Sequence, residues 1–269
     1  MDKWTAVWYT DLVTDAIRCD RVRFFVENSA VRDGVITLSA EDSAHAARVL
    51  RMRTGDALVV CDENGVEYRC RALRVSPASV EAEIVTSAPG DTEPDVFVTV
   101  FAGVSKGERF DQMIQKCVEV GASHIVPFLS EHCVVRIDAA DAEKKRARWE
   151  RIALEASKQS GRSRAVTVGA AVDFAQAVAQ AREADGAFLL YEKENRRALR
   201  SALRAVEHAA TLAVITGPEG GFSPSEAALA LTAGVESVSV GPRILRCETA
   251  PVAALCAIMY ETGNFDIGE

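Results

Sequence analysis

Nothing in this chain is long and apolar enough to read as a membrane-spanning helix. The opening MDKWTAVWYTDLVTDAIRCD has neither an apolar h-region nor a basic n-region, so no secretory leader is expected. Seven cysteines are scattered without a C-x-x-C pair. Their odd number and spacing disfavour a disulfide framework or a zinc site and suit a reducing cytoplasm. The four histidines, His45, His124, His132 and His208, are isolated and lack metal-ligand spacing, so no metal is expected. Excess positive charge is also missing. The net charge of −8 argues weakly against nonspecific nucleic-acid binding, although an RNA site depends on where the cations lie. Two phosphate signatures are absent. No G-x-G-x-x-G opens a helix after a strand, and no glycine is followed by Lys-Ser/Thr, which removes the usual dinucleotide and P-loop readings.

What is present is a pair of glycine-bearing loops in tandem. Thr211 to Thr216 is a short β-branched run suited to a buried strand. Gly217-Pro218-Glu219-Gly220-Gly221 follows it, and Ser223-Pro224-Ser225-Glu226 carries the marks of a helix start. Ser223 can cap, Pro224 takes the first helical position, and Glu226 can close a capping box. Gly234 ends that helix, Val235 to Val240 reads as the next strand, and Gly241-Pro242-Arg243 opens a second loop before a final helix from about Glu248 to Tyr260. In open α/β sheets a ligand binds beyond the carboxyl ends of the strands. Glu219, Arg243, Arg246 and Glu248 beside two such loops point to a small-ligand site there.

Elsewhere the pattern changes near residue 90. Short, partly alternating strands fill 21–87, with one helical insert at about Ala40 to Arg51 and a hairpin signal at Asn64-Gly65. That pattern predicts a small β-barrel. Residues 88–95, rich in proline, glycine and acid, read as a linker. From Val96 onward strands and helices alternate, predicting a mainly parallel α/β sheet over 96–269. Its helix after Lys106 should end at Gly121. Asp141 to Arg164 is the most basic segment, with Arg162 and Arg164 just past its expected end at Gly161. Asp185 to Leu190 looks like a further strand, leading into a mixed-charge EKENRR loop.

GPEGGFSPSE followed by VGPRILRCETAPVAAL resembles the signature pair of the ribosomal RNA small subunit methyltransferase E family, in the knotted SPOUT superfamily. The likeness extends through KGERFDQMIQKCVEVGASHIVPF, SEHCVVR and ERIALEASKQSGRSR, and more weakly to RFFVE and HAARVLRMRTGD. It implies a PUA-like RNA-binding β-barrel over 21–87, a SPOUT domain over 96–269 closed by a trefoil knot, and a homodimer. Family members usually begin near RFFVE, so residues 1–20 are expected to be either an N-terminal extension or a matter of start-site choice. The implied reaction is methylation of N3 of a uridine near the 3′ end of 16S rRNA in the small ribosomal subunit, with S-adenosylmethionine as donor. Residues matching the cofactor loops are Leu190, Thr216, Gly217, Gly220, Gly221, Val240, Gly241, Ile244, Leu245 and Arg246. Arg21, Arg23, Arg48, Arg51, Arg53, Lys106, Arg109 and Arg162 are the expected RNA contacts.

Uridine N3 carries a proton at neutral pH, so transfer gains from a base or from a cation beside the developing anion. Arg23, Arg246 and Glu248 suit those roles, and Glu219 is a more distant candidate. Both glutamates also fit a purely structural use at helix N-termini. Competing readings are a knotted methyltransferase acting on a ribose 2′-hydroxyl or guanine N1, a non-catalytic RNA-binding or ribosome-assembly protein, and a nicotinamide-dependent oxidoreductase.

Overall fold

The computed structural model describes residues 22–266; residues 1–21, Arg21 among them, and 267–269 lie outside them. The described chain forms two compact units, one reaching Glu93 and regaining Ser157–Ala165, the other made of Pro94–Ala156 and Val166 onward.

In the first unit, β1 (Arg23–Phe25), β2 (Val31–Arg32), β3 (Val35–Thr37), β4 (Ala57–Cys61), β5 (Val66–Val75) and β6 (Val80–Pro89) form one sheet. Its order is β1-β4-β5-β6-β3-β2, antiparallel except for β1 on β4. The sheet curls into half a barrel, with β1 and β2 as its two edges. Register shifts at Arg69/Cys70 and Ala72/Arg74 bend the long β5–β6 ribbon, as bulges do. Alternate residues such as Leu58, Val60, Cys70 and Ala72 pack inward with Phe24, Ile36 and Ala46. Ala46 comes from α1 (Ala40–Arg48), which Ser39 caps by accepting from the Asp42 N–H. The β4–β5 turn is set by Asp62, whose carboxylate accepts from the Asn64 and Val66 N–H groups, with Gly65 at φ +78°. The residues read as a linker are well tied. Thr92 and Glu93 accept from the N–H of Ser163.

The second unit alternates strands and helices except where β9 runs directly into β10: β7 (Phe97–Gly103), α2 (Glu108–Val120), β8 (His124–Leu129), α3 (Ala139–Gln159), β9 (Thr167–Val168), β10 (Val172–Asp173), α4 (Phe174–Ala181), β11 (Gly186–Leu190), α5 (Leu199–Leu203), β12 (Thr211–Thr216), α6 (Pro224–Thr232), β13 (Glu236–Val238) and α7 (Ala250–Glu261). The last three residues of α3 and the turn after it cluster with the first unit. The strands are all parallel, in the order β10-β8-β7-β12-β11-β13, with β9 also on β8. Period-two alternation gives the sheet two apolar faces. Val98, Val100, Leu212 and Val214 face a core shared with α2, α3, α5 and α7. Phe101, Leu189, Ala213 and Ile215 face the opposite one, with α4 and α6.

α2 ends as expected at Gly121, whose φ of +118° suits glycine. α6 begins with the full Ser223–Glu226 capping box and Pro224 in its first turn. α4 starts with a second capping box, Asp173 with Gln176, although the sequence analysis assigns no element there. The final helix starts two residues later than expected, because the chain after Arg246 first makes a turn in which Arg246 C=O accepts from the Thr249 and Ala250 N–H groups.

Candidate active site

Because β12 lies between β7 and β11, and β13 flanks β11, the chain leaves four parallel strands at one end of the sheet through neighbouring loops. Three of these loops, Tyr191–Ala198, Gly217–Phe222 and Ser239–Glu248, enclose a cavity of about 970 Å³. Its wall includes Leu190, Gly217, Gly220, Gly221, Val240, Gly241, Ile244, Leu245, Arg246 and Glu248. Thr216 is the one residue of the expected cofactor set that does not line it. As the last residue of β12 its side chain turns into the sheet, where Oγ1 reaches the Phe101 carbonyl at 3.5 Å.

Close packing shapes the first glycine loop. A Cβ on Gly220 would stand 2.7 Å from Cβ of His132, whose Nδ1 lies 3.0 Å from the Gly220 carbonyl. At Gly221, with φ +65°, the Glu192 carboxylate oxygens lie 3.1 and 3.2 Å from where a Cβ would stand. Phe222 anchors the loop from below among Phe128 and Phe174, at centroid distances of 6.3 and 5.5 Å. The second loop is laced to the third. Ser239 N–H donates to Arg197 C=O, and Leu199 N–H donates to Ser239 C=O, both at 2.9 Å. Glu194 accepts from the Arg196 and Arg197 N–H groups and so turns the Tyr191–Ala198 loop back on itself. No described residue accepts from the N–H groups of Val240, Ile244 and Leu245, which leaves backbone donors on the cavity wall.

The charges alternate. Arg109, Glu219, Arg246 and Glu248 all line the cavity. Glu219 Oε1 accepts from the Lys106 N–H at 2.9 Å and from Arg109 Nη1 at 3.2 Å. Burial pushes the Glu248 carboxyl up, but its own backbone N–H, the Cys247 thiol and the charges of Arg109 and Arg246 outweigh this and hold it below the usual carboxylate range. Burial also pushes the Cys247 thiol up, to about 11, helped by its hydrogen bond to Glu248 and by the Glu219 charge. Cys247 is therefore a neutral donor at physiological pH and a poor nucleophile.

Two expected RNA contacts are placed otherwise. Arg23 is buried in the first unit, paired with Glu67 at 2.8 Å and hydrogen-bonded to Cys61 Sγ and the Arg162 carbonyl. Arg162 is buried as well and grips Glu93. Each guanidinium is engaged by a carboxylate of its own unit, an environment unlike that of the exposed arginines with which the sequence reading groups them as phosphate contacts. Arg48, Arg51 and Arg53 are exposed, without an ion pair to a described residue. The Lys106 side chain is exposed too, while Arg109 is tied to Glu219. On the basic α3, Arg146 pairs with Glu143 and Glu150, and Arg148 with Asp111. The Tyr191–Ala198 wall was not picked out from the sequence. Its only signal was position, directly after a strand. Among the described residues no group of three or more His, Cys, Asp or Glu side chains could hold a metal ion.

Residues 92–259 match the model of an RNA methyltransferase domain, and residues 38–85 match an RNA methyltransferase PUA domain. The ribosomal RNA small subunit methyltransferase E of Bacillus subtilis is 32% identical over 247 residues, covering 89% of this chain and 96% of that protein. The chain belongs to the ribosomal RNA small subunit methyltransferase E family. The family member from Synechocystis is 31% identical, covering 88% of this chain and 76% of its own. Among solved structures, the family member of Neisseria gonorrhoeae bound to S-adenosylmethionine aligns with a TM-score of 0.78 and 30% identity, covering 88% of this chain and 96% of that one.

Proposed function

We propose that this chain methylates N3 of a uridine near the 3′ end of 16S rRNA in the small ribosomal subunit, using S-adenosylmethionine. The observation that carries the reading is the cavity at the carboxyl ends of adjacent parallel strands, walled by two glycine loops and bordered by Arg246 and Glu248. Its residues fit the donor. A volume of about 970 Å³ suits a ligand of that size. The free N–H groups of Val240, Ile244 and Leu245 can bond an adenine edge, and Glu192 and Glu248 favour a cationic sulfonium.

The bound donor supplies an electrophilic methyl carbon; the protein's work is alignment, exclusion of water and management of charge. Leu190, Gly217, Gly220, Gly221, Val240, Gly241, Ile244 and Leu245 hold the donor, and Thr216 supports them from beneath. Arg246, exposed at the rim, stabilises the uridine as its N3 proton leaves to solvent, and Glu248 orients Arg246. The unpaired Arg48, Arg51, Arg53 and Lys106 contact RNA phosphates. A homodimer, a trefoil knot closed by the last helix and a cytoplasmic location belong to the same reading and rest on family resemblance.

Incubating the protein with labelled S-adenosylmethionine and unmodified small subunits, then identifying the labelled nucleoside, tests it. N3-methyluridine is expected. Label in another nucleoside refutes the target. Absence of both transfer and donor binding leaves the RNA-binding reading.

A further inference from the structure

Glu219 has no place in the chemistry above, yet its carboxylate joins two segments that both reach the cavity. One oxygen receives the Lys106 N–H, at the turn into α2, and the Arg109 guanidinium, in the first turn of that helix. The turn has no side-chain cap of its own: Gly107 stands at the N-cap with φ +71° and contributes none. Glu219 thus supplies the acceptor that the helix start lacks. Beneath it, Gly103 and Pro218 are packed so closely that a Cβ on Gly103 would lie 2.5 Å from the proline ring, which fixes the loop bearing Glu219 against the end of β7. Arg109 is half exposed and lines the cavity with Arg246 and Glu248, and it helps to depress the Glu248 carboxyl. A guanidinium with several donors can satisfy Glu219 and still present N–H groups to the cavity.

We propose that Glu219 is a positioning residue for methyl transfer: it holds Arg109 at the cavity wall, where that cation, with Arg246, offsets the charge that develops on the target uridine. This rests on the function proposed above. In the transfer the N3 electron pair forms the bond to the methyl carbon, the carbon–sulfur pair stays on sulfur, and the N3 proton passes to solvent. Arg109 is assigned to the base, whose negative charge it offsets as the N3 proton leaves, and not to the cationic donor. Loss of Arg109 is expected to slow turnover without weakening donor binding, and to matter less as rising pH ionises the base in advance.

The test uses the full-length protein with small ribosomal subunits. Glu219→Gln keeps an oxygen for the Lys106 N–H and removes the charge that orients Arg109. We expect turnover to fall about 10-fold, with affinity for S-adenosylmethionine within about 3-fold of wild type. Arg109→Ala should lower turnover about 100-fold at neutral pH, with the deficit narrowing toward alkaline pH, and Arg109→Lys should recover part of it. The double variant Glu219→Gln/Arg109→Ala should be no slower than Arg109→Ala alone, since Glu219 acts through Arg109. Unchanged turnover in Glu219→Gln overturns the proposal. So does a full additive loss in the double variant, or a pH-independent deficit in Arg109→Ala. If wild type itself makes no N3-methyluridine, the underlying function fails; if wild type is active and the variants equal it, only the role of Glu219 fails.

Discussion

Replacing Gly103 by alanine probes how strictly the site depends on the approach of two loops. Gly103 is the last residue of β7, and the Cβ it lacks would stand 2.5 Å from Cδ and 2.6 Å from N of Pro218. Ordinary contact between such atoms is about 3.5–4.0 Å, so roughly 1 Å must open between them. Neither partner can swing aside. The proline atoms belong to a ring fused to the backbone, and Gly103 is held in register with Phe128. Overpacking of this kind costs about 1–3 kcal/mol. At about 2–4 °C per kcal/mol, melting should drop by several degrees. The larger effect falls on the site, because Gly217 and Pro218 form part of the cavity wall. A displacement of about 1 Å there is worth on the order of 100-fold in turnover.

Thermal unfolding, calorimetric titration with S-adenosylmethionine and turnover on small subunits measure the three consequences. Gly234→Ala is the matched control. Its φ of +91° makes a side chain strained, yet nothing lies within 4 Å of the added Cβ and the residue is absent from the cavity wall. It should cost about 1–2 kcal/mol of stability and leave donor affinity unchanged. Wild-type affinity and turnover in Gly103→Ala, or an equal loss of affinity in Gly234→Ala, would refute the reasoning.

Cys247, raised to about 11 from 9.0, should carry about 100-fold less thiolate at pH 8 than an ordinary thiol. Its alkylation, followed by peptide mass spectrometry, should keep accelerating to about pH 11 and slow when S-adenosylhomocysteine fills the cavity; a plateau near pH 9 contradicts this. Arg23→Ala strands the largely buried Glu67 carboxylate in the first unit and should destabilise it by about 3–5 kcal/mol while leaving donor affinity intact. An unchanged melt would return Arg23 to the pool of free cations. Arg196→Ala and Arg243→Ala, each removing an exposed, unpaired cation from the cavity mouth, should each lower the salt slope of RNA binding by about 1 without affecting donor affinity.

Local signals reported local structure well. Ser223, Pro224 and Glu226 stand three residues apart at most, and the capping box they describe closes between Ser223 and Glu226. Gly121 ends α2 for a reason contained in its own φ. The two glycine loops were legible because glycine marks tight backbone approach wherever it occurs in a βα turn. The third wall, Tyr191–Ala198, carries no such mark. It borders the cavity because β11 lies between β12 and β13, so that a strand earlier in sequence is inserted between two later ones. No pattern within the loop encodes that neighbour relation. The same limit governs the cations. Arg23 and Arg162 look as free in sequence as Arg48 and Arg51, and only the approach of Glu67 and Glu93, 44 and 69 residues away, removes them.

This bears on how a chain of net charge −8 can act on RNA. The internal ion pairs remove equal numbers of both signs, so they leave the sum unchanged while deciding where the remaining charge stands. Arg196, Arg243 and Arg246 around the cavity, and Arg48, Arg51 and Arg53 on the first unit, make no ion pair with a described residue. The excess of acid is felt mainly at distance, and at physiological ionic strength it is screened beyond about 8 Å. At contact the local arginines dominate, with each phosphate they neutralise releasing counterions. Lowering the salt therefore has two opposed effects, stronger local pairing and stronger overall repulsion. The first should prevail for the bound complex and the second for the rate of encounter. Affinity for RNA should rise as salt falls because dissociation slows by more than association slows, whereas a uniformly basic RNA-binding surface would associate faster.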